Sequence, residues 1–192
     1  MNDGMNHKRF PNYLVTRKGL SLVEVLVTVV LLSFIMGVCY ALLISGSDSW
    51  ETNNARVELQ QELCKGVDWI TMDLRQAGSD SITDVPANGT TYTSITFYKG
   101  AGASGGNLVW DTNTTKYFRG GSGSTQLQRQ IGAQTPAVVA QDIQALQFSR
   151  SSSNPNVVNV TLQAQKATPR GKNLSGKTSI QASMSFNIYL RN

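Results

Sequence analysis

The chain of 192 residues has one histidine, His7, two cysteines and five prolines, and no proline falls between residues 20 and 85. Each scarcity excludes something. A single histidine near the amino terminus is a poor basis for a histidine-dependent triad or a histidine-ligated zinc site. Cys39 and Cys64 are 25 positions apart. On one helix that is roughly 37 Å, whereas a disulfide needs Cα atoms within about 7 Å. Their spacing suits neither a metal site nor a redox motif, so both are expected to be packing residues. Asp80, Asp84, Asp111 and Asp142 are scattered without calcium-loop spacing and read as turn formers. These absences predict no catalytic constellation, no metal and no cofactor.

Charge is also unevenly spread. Lys8, Arg9, Arg17 and Lys18 face only Asp3 within residues 1–19, and this segment holds the larger part of the formal net charge of +5. What remains is a mixed solvated surface with no dense basic stripe, which argues against nucleic acid as a partner.

What the chain does have is a long apolar run. Residues 25–44, VLVTVVLLSFIMGVCYALLI, carry no charge, and twenty helical residues cover about 30 Å, the thickness of a bilayer's hydrocarbon core. Basic residues precede the run while Asp48 and Glu51 follow it. The positive-inside rule therefore places residues 1–19 in the cytoplasm and everything after about residue 45 across the membrane. A cleaved secretory signal would have a shorter apolar stretch and a small-x-small site, and Cys39-Tyr40-Ala41 is a poor one.

Glu24 sits at the start of this run. A carboxylate near the middle of a membrane helix costs roughly 2.5–3.5 kcal/mol on insertion scales. Near the cytoplasmic end it can snorkel to the headgroups, or it can await a positive partner supplied by another chain.

Leu59, Leu63, Val67, Ile70 and Leu74 step by 4, 4, 3 and 4, which marks the apolar face of an aqueous helix continuing from the run. Gly78 is its expected C-cap, giving one helix over residues 20–77. Residues 79–192 read as β. Residues 94–98, 116–119, 126–129, 157–162 and 183–190 have strand character, residues 142–148 start in a turn and end as strand, and glycine-rich turns divide them. Gly100-Ala101-Gly102-Ala103-Ser104-Gly105 matches GxGxxG, but strand-like Asn107-Leu108-Val109-Trp110 follows where a dinucleotide site needs a helix. A flexible hairpin loop is expected there instead. The predicted fold class is α+β, with the long helix packed on an antiparallel sheet.

The stretch KGLSLVEV, residues 18–25, resembles the amino-terminal signature of type IV prepilins and type II secretion pseudopilins. The resemblance implies a pilin-type α/β roll and cleavage between Gly19 and Leu20 by a prepilin peptidase that reads Arg17 and Lys18. It also implies N-methylation of Leu20, which stands where most members have Phe, and an assembly role for Glu24, fifth in the mature chain. Residues 72–78, MDLRQAG, and the terminal Leu190-Arg191-Asn192 resemble the minor-pilin branch of PilW-like proteins and pseudopilin J. Arg75 is expected to act as a helix-end cation.

The implied organisation is a leader over 1–19, a transmembrane half-helix over 20–45, an amphipathic half-helix over 46–78 and a β-rich head over 79–192. His7 would then leave with the leader. Implied partners are other pilins or pseudopilins, the prepilin peptidase/methyltransferase, the inner-membrane assembly platform and the lipid bilayer. The implied location is the bacterial inner membrane, then a pilus or periplasmic pseudopilus. A pilus subunit that helps initiate or cap assembly is the leading expectation. The competitors are a type II secretion pseudopilin, a tip adhesin or DNA-binding module acting through loops 99–107 and 119–125 with Lys99, Lys116, Arg119 and Arg129, and a membrane-anchored enzyme.

Overall fold

The computed structural model describes residue 19 and residues 21–167 and 179–191. The chain divides into two compact units, residues 1–44 and 45–192. Helix α1, Leu22–Leu74, runs through the division without a break, as expected of a proline-free stretch.

In the first unit every described side chain is exposed. Thr28 Oγ1 donates to the Val25 carbonyl and Ser33 Oγ to that of Val29, both at 2.8 Å, so the hydroxyls within the apolar run have acceptors on their own helix.

In the second unit α1 buries Ala55, Leu59, Leu63, Gly66, Ile70, Asp73 and Leu74. The expected stripe is present with one exchange: Gly66 takes the seam, and Val67 is only partly buried beside it. A Cβ at Gly66 would lie 3.0 Å from Leu127 Cδ2 and 3.4 Å from Leu162 Cδ2, so glycine sets how closely the helix approaches the sheets. Gly66→Val is expected to lower the unfolding free energy by about 1–3 kcal/mol, the usual range for overpacking, read from urea unfolding of the full chain in detergent. Gly46→Ala, at a position with nothing within 4 Å, should leave the midpoint unchanged or raised.

Among the described residues nine strands follow: β1 Ala77–Ile82, β2 Thr91–Tyr92, β3 Ser94–Ser104, β4 Asn107–Gly120, β5 Gln126–Ile131, β6 Ala137–Ala140, β7 Ile143–Ser151, β8 Asn154–Ala167 and β9 Ser179–Tyr189. They form two antiparallel sheets rather than one, ordered β1-β3-β4-β5-β6 and β2-β7-β8-β9. An isolated bridge from Gly78 to Arg191 ties β1 to the carboxy-terminal segment. The α+β class stands, because both sheets and the helix contribute to one core. Ile95, Phe97, Tyr117 and Leu127 come from the first sheet, and Ile143, Phe148, Val160 and Leu162 from the second.

Three local expectations are corrected. The helix ends at Leu74, and Gly78 lies inside β1 instead of capping the helix. Glycine is needed there because a Cβ would sit 2.5 Å from Trp110 Cη2. Arg75 is exposed, and the carboxamide of Gln76, not Arg75, reaches back to the Met72 carbonyl at 3.2 Å. Between residues 100 and 105 there is no long loop: β3 and β4 continue to a two-residue turn at Gly105 and Gly106, with φ of 59° and 83°. Two positive φ values are what a type I′ hairpin requires, and glycine adopts them freely.

Polar struts fasten the parts. Arg150, buried on β7, donates to the carbonyls of Val85, Ser79 and Pro155. Burial pushes its guanidinium down, and Asp80 opposes that. The Glu62 carboxylate accepts from Lys65 at 2.5 Å and from the Gln141 amide at 2.8 Å, which pins α1 to the turn between β6 and β7. Burial pushes the Glu62 carboxyl up. The Lys65 and Gln141 hydrogen bonds, with the charges of Lys65 and Lys166, outweigh it and hold the group below its ordinary 4.5. A carboxyl lowered in the folded state stabilises above the unfolded-state value, and the gain is lost as pH falls through the lower folded one. Glu62→Gln is therefore expected to be less stable than the parent at about pH 6, with the difference shrinking as the pH falls below 4.5. Paired urea titrations would read this.

Candidate functional site

The amino-terminal site is built by the first turn of α1. Ser21 precedes the helix; its Oγ accepts from the Glu24 amide at 3.2 Å, and its carbonyl accepts from the Val25 amide at 3.1 Å. Ser21 is thus the N-cap, and Glu24 is the third helical residue. Ser21-Leu22-Val23-Glu24 fits the capping-box pattern, a signal that the residue-by-residue reading missed. A carboxylate in the first turn also complements the helix dipole. This gives Glu24 a local reason to exist that competes with an assembly role. Among the described residues it has no ion-pair partner. Gly19 is exposed, with nothing within 4 Å of an added Cβ. Arg17, Lys18 and Leu20 lie outside the described residues.

Behind this turn stands a bare apolar surface: Phe34 is 73% and Leu43 72% exposed, and Leu26, Val30, Leu31 and Met36 are likewise open. Soluble surfaces rarely expose contiguous apolar patches beyond a few hundred Å². Length and composition suit this half-helix for crossing a membrane.

In the β-rich unit the most constrained polar group is Asp73, fully buried on α1. Its Oδ1 accepts from Lys99 Nζ at 2.5 Å, and its Oδ2 accepts from Arg129 Nε and Tyr117 Oη, each at 2.7 Å. The Arg129 guanidinium also lies 5.1 Å from the Trp69 ring centre. Burial, then the charge of Asp73 and the hydrogen bond to it, pushes the Tyr117 phenol far up, so it stays protonated and donates. Asp73 lies within the MDLRQAG stretch, where the sequence directs attention to Arg75 instead. Its ligands come from β3, β4 and β5, 26 to 56 positions away, and no local signal points to them.

The network divides the four cations proposed as a basic surface. Lys99 and Arg129 are consumed by Asp73, whereas Lys116 and Arg119 line an open cleft. Among the described residues no three His, Cys, Asp or Glu side chains gather as a metal site.

Residues 15–40 match the family model described as the prokaryotic N-terminal methylation motif. No curated protein matches the chain. The motif spans the end of the basic segment, Gly19, Glu24 and most of the apolar run, and it leaves the β-rich unit untouched. The chain therefore carries a type IV pilin-like prepilin signal on a membrane-suited helix.

Proposed function

We propose that the protein is a minor pilin or pseudopilin, a structural subunit that helps initiate or cap a filament of the type IV pilus class and performs no reaction of its own. The observation that carries this reading is the coincidence of the methylation motif over residues 15–40 with an unclad apolar half-helix whose first turn holds a carboxylate. A prepilin peptidase removes residues 1–19 by cutting between Gly19 and Leu20, guided by Arg17 and Lys18, and Leu20 is then methylated. The half-helix holds the subunit in the inner membrane with the β-rich unit outside the cytoplasm.

In the filament, Glu24 faces the freed amine of a neighbouring subunit. An isolated carboxylate in a low-dielectric medium is strongly disfavoured, and an opposite charge within about 4–6 Å reverses the preference. Helices in lipid gain little from hydrophobic attraction, because the tails are equally apolar. A charge pair that forms only on correct docking can therefore set register.

Deleting the chain from a bacterium that produces it, then restoring it in trans, tests the role. Loss and recovery of surface filaments is the expected outcome. Intact filaments with lost export of folded proteins would select the type II secretion pseudopilin instead, and no change in either would remove both readings.

A further inference from the structure

The outer strands of the two sheets are β1 and β6 in the first and β2 and β9 in the second. An outer strand leaves a row of amides and carbonyls unpaired, and proteins guard such rows by shortness, bulges, proline or charge. Three of these strands are guarded. β2 has two residues and β6 has four. β1 has a broken register against β3 and carries Asp80. β9 has none of these devices. Its eleven residues, SIQASMSFNIY, include no charge and no proline, and its register against β8 is unbroken from Ser179 to Tyr189. Among the described residues no strand pairs with its other edge, and β1 meets the chain only beyond it, at Arg191. The Leu190 amide donates to the Asn156 carbonyl, toward β8, and the Arg191 amide donates to the Ala77 carbonyl, away from it. Backbone groups alternate in direction along an antiparallel strand. The amides and carbonyls of Gln181, Ser183, Ser185 and Asn187, in step with Arg191, therefore point away from β8, and their side chains are exposed.

We propose that β9 pairs along this edge with β9 of a second copy of the chain, antiparallel about a two-fold axis at Met184, so that the two four-stranded sheets run on into one. The chemistry of the strand selects a second copy. Because β9 carries no charge, self-pairing sets no like charges opposite one another, whereas a charged strand would find no answering charge on either face. Centring on Met184 uses the whole strand and sets Ala182 against Phe186 of the second copy, small against large. Ala182, Met184 and Phe186 are only half-buried, and Ala182 and Phe186 already pack against the core. Pairing in this register continues that apolar face across the axis, while serine, glutamine and asparagine meet on the other face. The other outer strands of the chain are too short or too interrupted to serve as the donor. Such a contact is isologous and closes on itself. The inference does not rest on the filament reading, because the methylation motif ends at residue 40.

The test is disulfide trapping of the full chain in detergent, in a background carrying Cys39→Ser and Cys64→Ser, which replace two exposed free thiols. Across the axis, the two copies of position 184 form a non-hydrogen-bonded pair with Cα atoms about 4.5 Å apart, within reach of a disulfide. Met184→Cys is expected to give a disulfide-linked dimer under mild oxidation. Ala182→Cys or Phe186→Cys alone should give at least about tenfold less, because like positions then lie about 13 Å apart along the strands. Mixing those two variants should restore the dimer. Added to Met184→Cys, the pair Ser183→Lys and Ser185→Lys sets lysines opposite one another and should cut trapping about tenfold, whereas Ser183→Lys with Ser185→Glu should restore it. Circular dichroism of each variant establishes that the fold is retained. Failure of Met184→Cys to dimerise, equal trapping at positions 182 and 184, or equal trapping by the two charge variants would each overturn the pairing. Capture of Met184→Cys by a different protein in its own membranes, without the self-dimer, would assign the edge to that protein and overturn it too.

Discussion

Glu24→Gln is expected to leave the subunit inserted in the membrane at parental levels or above, and to reduce its recovery with partner pilins at least tenfold. The two readouts move in opposite directions because the carboxylate has opposite effects on the two steps. For insertion it is a burden, and neutralising it makes the helix a better membrane segment. For assembly, on the proposed reading, it is half of a pair, and the amine of a docked neighbour would otherwise lie in lipid without a counter-charge. Glutamine is the informative replacement. A capping box accepts Gln as readily as Glu at the third helical position, so if Glu24 serves only to close the turn begun at Ser21, the variant assembles normally. Ser21→Ala is the complementary control. It removes the cap, a loss of about 1 kcal/mol in typical hosts, but leaves the charge. It is expected to assemble with less than a twofold deficit. Quantitative immunoblotting of membranes and of affinity-purified complexes provides both readouts.

The second large effect belongs to Asp73. Asp73→Ala is expected to lower the unfolding free energy by about 3–5 kcal/mol, the range seen when one partner of a buried ion pair is removed. The loss comes mainly from what stays behind. Lys99 and Arg129, with side chains 18% and 17% exposed, would keep their charges in a site that no longer answers them, and the Tyr117 hydroxyl would lose its charged acceptor. Tyr117→Phe removes the hydroxyl shared between Asp73 Oδ2 and the Trp69 carbonyl and should cost about 1.5–3 kcal/mol. Urea unfolding of the full chain in detergent, followed through tryptophan fluorescence, gives both values. A loss below about 1 kcal/mol for Asp73→Ala would mean the network is not a structural keystone. Because Asp73 fastens α1 to β3, β4 and β5, its loss should also release the helix end on which the β-rich unit is built.

How much of this was legible in the sequence follows from where each signal resides. The long helix was legible because proline is absent and the apolar periodicity continues past residue 44. Its end was misplaced because Gly78 looks like a cap when only neighbours are considered, and the reason for that glycine, the Trp110 ring, lies 32 positions away. Strands β3, β7, β8 and β9 announce themselves by alternation. β1, AGSDSI, does not, being mostly small and polar, and β6, AVVA, does not because four residues are too few to show alternation. The division into two sheets depends on which strand edges meet, which alternation does not encode. In the candidate sites, Gly19 and Glu24 stand out because a charge and a glycine beside an apolar run are local anomalies. Asp73 does not, since a buried carboxylate is identified only by distant cations. The same selection separated Lys99 and Arg129 from Lys116 and Arg119, which sequence alone grouped together.

The central claim is that the leader is removed at Gly19 so that a free amine can meet a carboxylate inside the membrane. Mass spectrometry of the amino-terminal peptide from protein purified out of its own membranes tests it most directly. The account predicts a chain that begins at Leu20 and carries one added methyl group. A chain beginning at Met1, or one starting beyond residue 39, would contradict it.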